Sequence, residues 1–112
     1  MKIIRTSRTF TPEEIYKLTK SPSVKKLSDL KGCDIAVHGF VQYNDVDSKG
    51  NEQNVISFDL GGEYYATNSA TFIRGFLDLV DIYGDAITYP LNVVIGTGTS
   101  KAGREYLKCD LA

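Results

Sequence analysis

Much of the chain alternates apolar and polar positions, which is the period of β-strands. Alternation from Cys33 to Gln42 predicts a long first strand, with Gly39 at a position where the strand can bend sharply. Four later segments alternate in the same way and predict further strands: 54–60, 63–67, 91–97 and 104–111. The pattern therefore predicts a mainly β protein.

One region between the third and fourth predicted strands has helical spacing instead. Asn68-Ser69 precedes a stripe formed by Phe72, Phe76 and Val80, and Gly84 stands at the expected C-terminal position. These signals predict a helix of about a dozen residues. The order from Cys33 onward is strand, strand, strand, helix, strand, strand.

The first 32 residues carry two helix-start signals. Thr11-Pro12-Glu13-Glu14 offers an N-cap hydroxyl, a proline at the first helical position and a glutamate at the third, so a capping box is expected to begin a helix that runs to Lys20. Ser21-Pro22 repeats the device and predicts a second short helix that ends at Gly32. We therefore expect a helical segment over residues 1–32 and a β domain over residues 33–112.

The strand and helix order from residue 33 is that of the OB-fold, a five-stranded Greek-key barrel with a helix between its third and fourth strands. OB-folds bind oligonucleotides across their second and third strands, flanked by the loops that join strands one to two and four to five. In this chain those loops are residues 44–52 and 99–103.

Composition narrows the protein class without changing this prediction. The chain has 112 residues, enough for one domain and one core, and no apolar run long enough to span a membrane. We expect a soluble, intracellular protein whose two cysteines, Cys33 and Cys109, are reduced and half-buried. With His38 as the only histidine, the sequence predicts no zinc site and no other cofactor.

The net charge of −1 hides an asymmetry along the chain. Residues 1–32 hold eight cations against three acids, a balance of +5, whereas residues 33–112 hold five cations against eleven acids, a balance of −6. Such a basic segment is typical of an arm that binds a polyanion, or of one that docks on its own acidic domain. In the first case, Lys25, Lys26 and Lys31 are the candidate contacts.

The last predicted strand carries the clearest candidate chemistry. Side chains alternate across a strand, so Leu107 and Cys109 share one face while Arg104, Tyr106 and Lys108 share the other. A cation, a ring and a cation in sequence can stack an unpaired base and hold its phosphates. Solvent-facing strand positions also carry such residues in proteins that bind no ligand there, so the pattern alone does not show that this strand forms a binding site.

Other aromatic and cationic residues fit the same chemistry if they point out of the barrel. Periodicity places His38 and Phe40 on the non-core face of the first strand, although packing beneath the N-terminal helices would also explain Phe40. Of the adjacent Tyr64 and Tyr65 only one can face outward, and we favour Tyr65. Three further candidates lie at a strand end or at loop tips: Tyr43, Lys49 and Lys101.

Three strings in the chain, TPEEIYKLTKSPSVKKLSDLKG, EYYATNSATFIRGFLDLVDIYG and GTSKAGREYLKCDL, resemble small single-stranded DNA-binding proteins encoded by phages of Gram-positive bacteria. The resemblance runs from about Thr11 to Leu111. It implies an OB-fold that binds unpaired DNA without base preference, in phage DNA replication or recombination in the host cytoplasm. The resemblance also implies replisome or recombination proteins as partners. It is compatible with a homo-oligomer.

Two other binding functions compete with this interpretation. A protein-interaction OB module would use the same aromatic face on a partner of a replication complex, and the acidic balance of residues 33–112 favours it. An oligosaccharide-binding OB-domain would favour aromatic residues without neighbouring cations. No phosphate-binding loop or catalytic carboxylate arrangement is recognisable, so we expect a binding protein and not an enzyme.

Overall fold

Each segment that alternates apolar and polar residues forms a strand in the computed structural model, which describes all residues 1–112. The protein is mainly β, as predicted, with eight strands: β1 (Lys2–Thr6), β2 (Lys25–Lys26), β3 (Asp34–Val37), β4 (Gly39–Val46), β5 (Glu52–Asp59), β6 (Tyr64–Thr67), β7 (Leu91–Thr99) and β8 (Glu105–Leu111). Two α-helices, α1 (Pro12–Thr19) and α2 (Ala70–Tyr83), complete the fold with 3₁₀ turns at 27–30 and 84–86. Neither α-helix has the length and apolarity needed to cross a membrane.

The strands pair into two separate sheets. The larger sheet has the order β1-β4-β5-β6-β2, and the smaller has the order β3-β7-β8. All neighbours are antiparallel except β2 and β6, which run parallel. A register irregularity between Ile3 and Arg5 interrupts the pairing of β1 with β4. The predicted first strand is thus divided between the sheets.

The division occurs at His38, between β3 and β4. A Cβ atom on Gly39 would lie 3.1 Å from Ser7 Oγ and 3.2 Å from the Phe10 ring, so a larger residue would crowd both neighbours. The strand changes sheet here and its alternation changes phase, which turns Phe40 toward the same core as Val37. The prediction of an outward Phe40 is therefore wrong: its side chain is only 1% exposed. His38 is exposed, as predicted.

Aromatic rings join the main core to α2. Phe76 meets Phe40 and Phe58 edge to face, with centroid distances of 5.2 and 4.8 Å. The helix begins after the Ser69 cap, whose hydroxyl accepts from the Phe72 N–H, and ends at Gly84, as predicted.

The two cysteines differ in exposure. Cys109 is half-buried, as predicted, and packs against the main core, where burial raises the pKa of its thiol to about 12. Cys33 is exposed and not half-buried as predicted.

Tyr65 belongs to the same core, so the prediction that it faces outward is wrong. It pairs directly with Phe58 and therefore shares the inward face of the larger sheet. Its side chain is 8% exposed, whereas the neighbouring Tyr64 is only partly buried. The sequence of this short strand is compatible with either tyrosine facing inward. Only its register against β5 selects Tyr65.

The first 32 residues are helical only in part. The capping box at Thr11 and Glu14 forms as predicted, and a hydrogen bond from Arg8 lowers the pKa of Glu14 to about 2. In place of the second helix, the chain forms β2 and a 3₁₀ turn over residues 27–30. Three residues per turn still bring Leu27 and Leu30 to one side, where Leu27 is fully buried in the main core. Strand β1 was not predicted.

Helix α1 covers the outer face of the larger sheet. Leu18 packs with Val41 and Tyr43 in a second apolar cluster, which Ile15 and Tyr64 extend. Tyr43 is therefore only 5% exposed, and its predicted role in stacking a ligand is not compatible with this packing. Burial, assisted by the nearby Asp45, raises the pKa of its hydroxyl. The N-terminal segment is an integral layer of the fold.

Replacing Phe40 tests its placement in the core. We expect Phe40→Ala to lower the free energy of unfolding by about 3–5 kcal/mol, because the substitution removes a ring packed between β4 and α2. Ile82→Ala is the control, since Ile82 is 78% exposed and its loss is expected to change stability by no more than about 0.5 kcal/mol. Urea denaturation measures both, and equal midpoints for the two variants would contradict the placement.

Candidate functional site

The outer face of β8 carries an exposed ring and an exposed cation, as its alternation predicted. Leu107 is buried, whereas Tyr106 is 38% exposed and Lys108 is exposed. These side chains lie opposite glycines, because Tyr106 pairs with Gly98 and Lys108 with Gly96 on β7. A Cβ atom on Gly98 would lie 2.5 Å from Cζ and Oη of Tyr106, so the far end of the ring extends across β7 above this glycine.

A groove of about 740 Å³ opens beside Tyr106, between the two sheets. It is bounded by the beginning of β5, the end of β6, the beginning of β8 and the first residues of α2. Apolar groups in its lining include Val55, Ala66 and the Tyr106 ring, and Lys26 brings the one cation. Most of the other lining residues are polar, so the groove offers many hydrogen-bonding groups around a small apolar surface.

Side-chain amides and hydroxyls complete the groove. Asn68 Nδ2 donates to Gln53 Oε1 at 3.4 Å, and Ser69 Oγ donates to the Leu107 carbonyl oxygen at 3.3 Å. The second bond ties the start of α2 to β8 and so fixes one wall against another. Gln53 and Val55 on β5 and Asn68 before α2 were not predicted as site residues, because they carry no motif and only the tertiary structure brings the two segments together.

The loop before β5 is organised by one carboxylate. Asp47 Oδ1 accepts from the backbone N–H groups of Lys49 and Asn51, each at 2.9 Å, and Oδ2 accepts from Gln53 Nε2 at 3.3 Å. These bonds lower the pKa of Asp47, the Asn51 N–H contributing most. Because Gln53 also lines the groove, the ordered loop leads directly to it and presents exposed Lys49 at its tip.

The turn before β8 directly precedes Glu105 and Tyr106, which line the same groove. Ser100 Oγ accepts from the Arg104 N–H at 3.1 Å, and the Gly103 N–H donates to the Ser100 carbonyl oxygen at 2.9 Å. The turn exposes Lys101 and Arg104, and neither forms an ion pair. Both predicted loops therefore flank one groove.

Ion pairs engage most cations of the first 32 residues. Five pairs form: Arg5–Asp81, Arg8–Glu14, Lys20–Asp45, Lys25–Glu63 and Lys31–Glu105. Four of them join the segment to acids beyond residue 32, which matches the alternative in which the segment docks on its own acidic domain. Of the three candidate lysines, Lys25 and Lys31 are paired, and Lys26 alone is unpaired and lines the groove.

The structure brings together only part of the predicted site. Tyr106 and Lys26 line the groove. The neighbouring cations are exposed on β8, on the turn before it and on the loop before β5: Lys108, Arg104, Lys101 and Lys49. His38 is elsewhere: its N–H donates to the Asp59 carbonyl oxygen at 2.8 Å, at the far end of β5. That end is about 20 Å from Gln53 along an extended strand. His38 is therefore not part of this groove.

Comparison with known proteins finds no matching family model, no similar curated protein and no similar solved structure.

Titration of Asp47 tests the organisation of its loop. In the folded protein the pKa of Asp47 lies below its ordinary value of about 3.9. The hydrogen bonds to Lys49 and Asn51 are therefore complete at pH values above about 3.9, and they are lost as the pH falls through the lowered pKa. We expect the amide resonances of Lys49 and Asn51 to shift together in an NMR titration with that low midpoint. Asp47→Asn is the control, and a midpoint at or above the ordinary value would contradict the bonding scheme.

Proposed function

We propose that this protein binds single-stranded DNA without strong sequence preference. The observation that carries the proposal is the exposed Tyr106 ring beside a groove with unpaired cations on both flanking loops. Stacking on an aromatic ring contributes roughly 1 to 3 kcal/mol per base and tolerates any base, while cations follow the backbone. Such a site takes unpaired bases, because bases stacked within a duplex do not offer their faces.

The strand arrangement supports a variant of the OB-fold. Counting β3 and β4 as a divided first strand, the order β5, β6, α2, β7 and β8 follows the OB topology. Two of the pairings also agree, since the divided strand pairs with β5 through one half and with β7 through the other. The predicted barrel is not closed, however, because β6 and β8 belong to separate sheets and do not pair. Helix α1 covers the outer face of β4–β6, so the ligand site lies at the seam beside β6 and β8.

Charge supports the same ligand despite the overall balance of −1. The acids opposite the N-terminal segment are engaged by its cations, whereas Lys101, Arg104 and Lys108 form no ion pair and follow one another along the turn and β8. Cations placed in this way can contact successive phosphates. Glu105, the one acid that lines the groove, is neutralised by Lys31 at 2.8 Å.

A role in phage DNA replication or recombination follows from the resemblance of the three sequence strings to phage single-stranded DNA-binding proteins. The proposal includes action in the host cytoplasm and contact with replication or recombination proteins. It involves neither catalysis nor a cofactor.

A protein-interaction module is the second candidate. The balance of −6 over residues 33–112 favours it, because a net acidic surface repels DNA. In that case the groove beside Tyr106 would hold a segment of a replication protein, and the purified chain would not bind oligonucleotides tightly.

Titration with a fluorescent oligothymidylate at two salt concentrations distinguishes these functions. We expect tight binding that salt weakens, and weaker binding to a duplex of equal length, since stacking needs an exposed base face. Equal affinity for duplex and single strand would contradict the proposal, and the absence of binding at low salt would favour the protein-interaction module.

Substitution of the exposed ring tests the site itself. We expect Tyr106→Ala to weaken oligothymidylate binding by about 1 to 3 kcal/mol while the melting temperature stays near that of the unmodified protein. Tyr16→Ala is the matched control, because Tyr16 is 53% exposed on α1 and does not line the groove. Equal losses for the two variants would exclude the groove as the binding site.

Salt dependence tests which cations contact phosphates. We expect Arg104→Ala and Lys108→Ala each to reduce the slope of log affinity against log salt by roughly 0.7, the value for one phosphate of a single strand. Lys20→Ala serves as the control, because Lys20 is paired with Asp45 on the surface covered by α1. If only Lys20→Ala reduced the salt slope, the phosphates would contact the surface around Lys20 and not β8.

A further inference from the structure

We propose that Gly98 is a positioning residue, whose missing side chain allows the Tyr106 ring to lie across β7 as a platform for one unpaired base. The inference rests on the proposed function and adds a determinant of the same site. In the register of β7 against β8, Gly98 lies directly opposite Tyr106.

The backbone at Gly98 does not require glycine. Its φ is not among the positive values found at six other glycines, and it lies within the regular pairing of β7 with β8. Glycine weakens a strand because it has no side chain to pack, and inside strands it often marks a close approach by another group. The group that approaches here is the tyrosine ring.

The space above Gly98 is fully used by that ring. A Cβ atom would lie 2.5 Å from Cζ, 2.5 Å from Oη and 2.9 Å from Cε2, distances that real contacts do not reach. The ring is also held at its base by the strand, so it can escape only by rotating away from the sheet. An alanine at this position would therefore displace Tyr106 from the platform geometry.

The next outward pair along the strands continues the platform. Lys108 lies opposite Gly96, and a Cβ atom there would lie 3.2 Å from its Cγ and Cε. The lysine stem extends over Gly96 as the ring extends over Gly98, so an aromatic ring and a cationic side chain occupy successive outward positions of β8. One nucleotide needs this pair of groups, the ring for its base and the cation for its phosphate.

A ring above a strand glycine can also stabilise the sheet alone, by covering exposed backbone. That alternative makes Gly98 important for folding and irrelevant to ligand affinity once the protein is folded. Affinity and melting temperature, measured on the same variants, distinguish the two roles.

The test is a double-mutant cycle of Gly98→Ala and Tyr106→Ala, with oligothymidylate affinity and thermal melting measured for each protein. We expect Gly98→Ala to weaken binding by about 5- to 150-fold, the range that corresponds to loss of one stacked base. In the Tyr106→Ala background the same change is expected to have no further effect, because the displaced group is already absent.

Gly75→Ala is the matched control, because Gly75 does not line the groove and a Cβ atom there would lie no closer than 3.4 Å to any neighbour. We expect less than a threefold loss of affinity. Wild-type affinity of Gly98→Ala alongside weak binding by Tyr106→Ala would overturn the inference and leave the proposed function intact. An equal loss from Gly98→Ala in both backgrounds would also overturn it, and wild-type affinity of Tyr106→Ala would overturn the proposed site as well.

A measurement on the unmodified protein covers the case in which Gly98→Ala does not fold. The α-protons of Gly98 lie beneath the ring, so we expect an upfield ring-current shift in the NMR spectrum and a further change when oligothymidylate saturates the protein. Gly39, which lies beside the Phe10 ring, is the control and is expected to stay unchanged. Unaltered Gly98 resonances at saturation would overturn the inference.

Discussion

The packing of α2 between the two sheets is the interaction on which the remaining structure depends. Phe76 meets β4 and β5 through the rings of Phe40 and Phe58, and the same helix packs on β8. The approach to β8 is close, since a Cβ atom on Gly75 would lie 3.4 Å from Cys109 Cβ. No strand of one sheet pairs with a strand of the other, so this helix and the divided β3–β4 segment fix the separation that creates the groove.

Local signals in the sequence were sufficient to predict most elements. Strand alternation, the Ser69 cap and the Gly84 end depend on neighbouring residues, and they appear in the structure where they were expected. The outward prediction for Phe40 failed because alternation holds only while a strand stays in one sheet, and the change of sheet at Gly39 reverses its phase. Strand β1 was not predicted from the sequence, because only its pairing with β4 defines it as a strand.

The candidate site was predictable where one strand carries it. The faces of Tyr106 and Lys108 follow from alternation within β8, and the flanking loops follow from the order of elements. Gln53, Asn68 and Lys26 come from three distant segments, so only the tertiary structure shows that they share a groove. The same applies to charge, since the composition gives the numbers of cations and acids but not which of them form ion pairs.

The pairing of β1 with β4, and of β2 with β6, has a consequence for how the chain acquires its fold. Both N-terminal strands leave the ribosome well before their partners, which lie about 40 residues later in the sequence. Neither strand can complete its sheet until β4 and β6 have been synthesised. Long loops must close before these contacts form, so the protein is expected to fold more slowly than a helical bundle of equal length. The N-terminal layer is thus translated first but is among the last parts of the chain to form its native contacts.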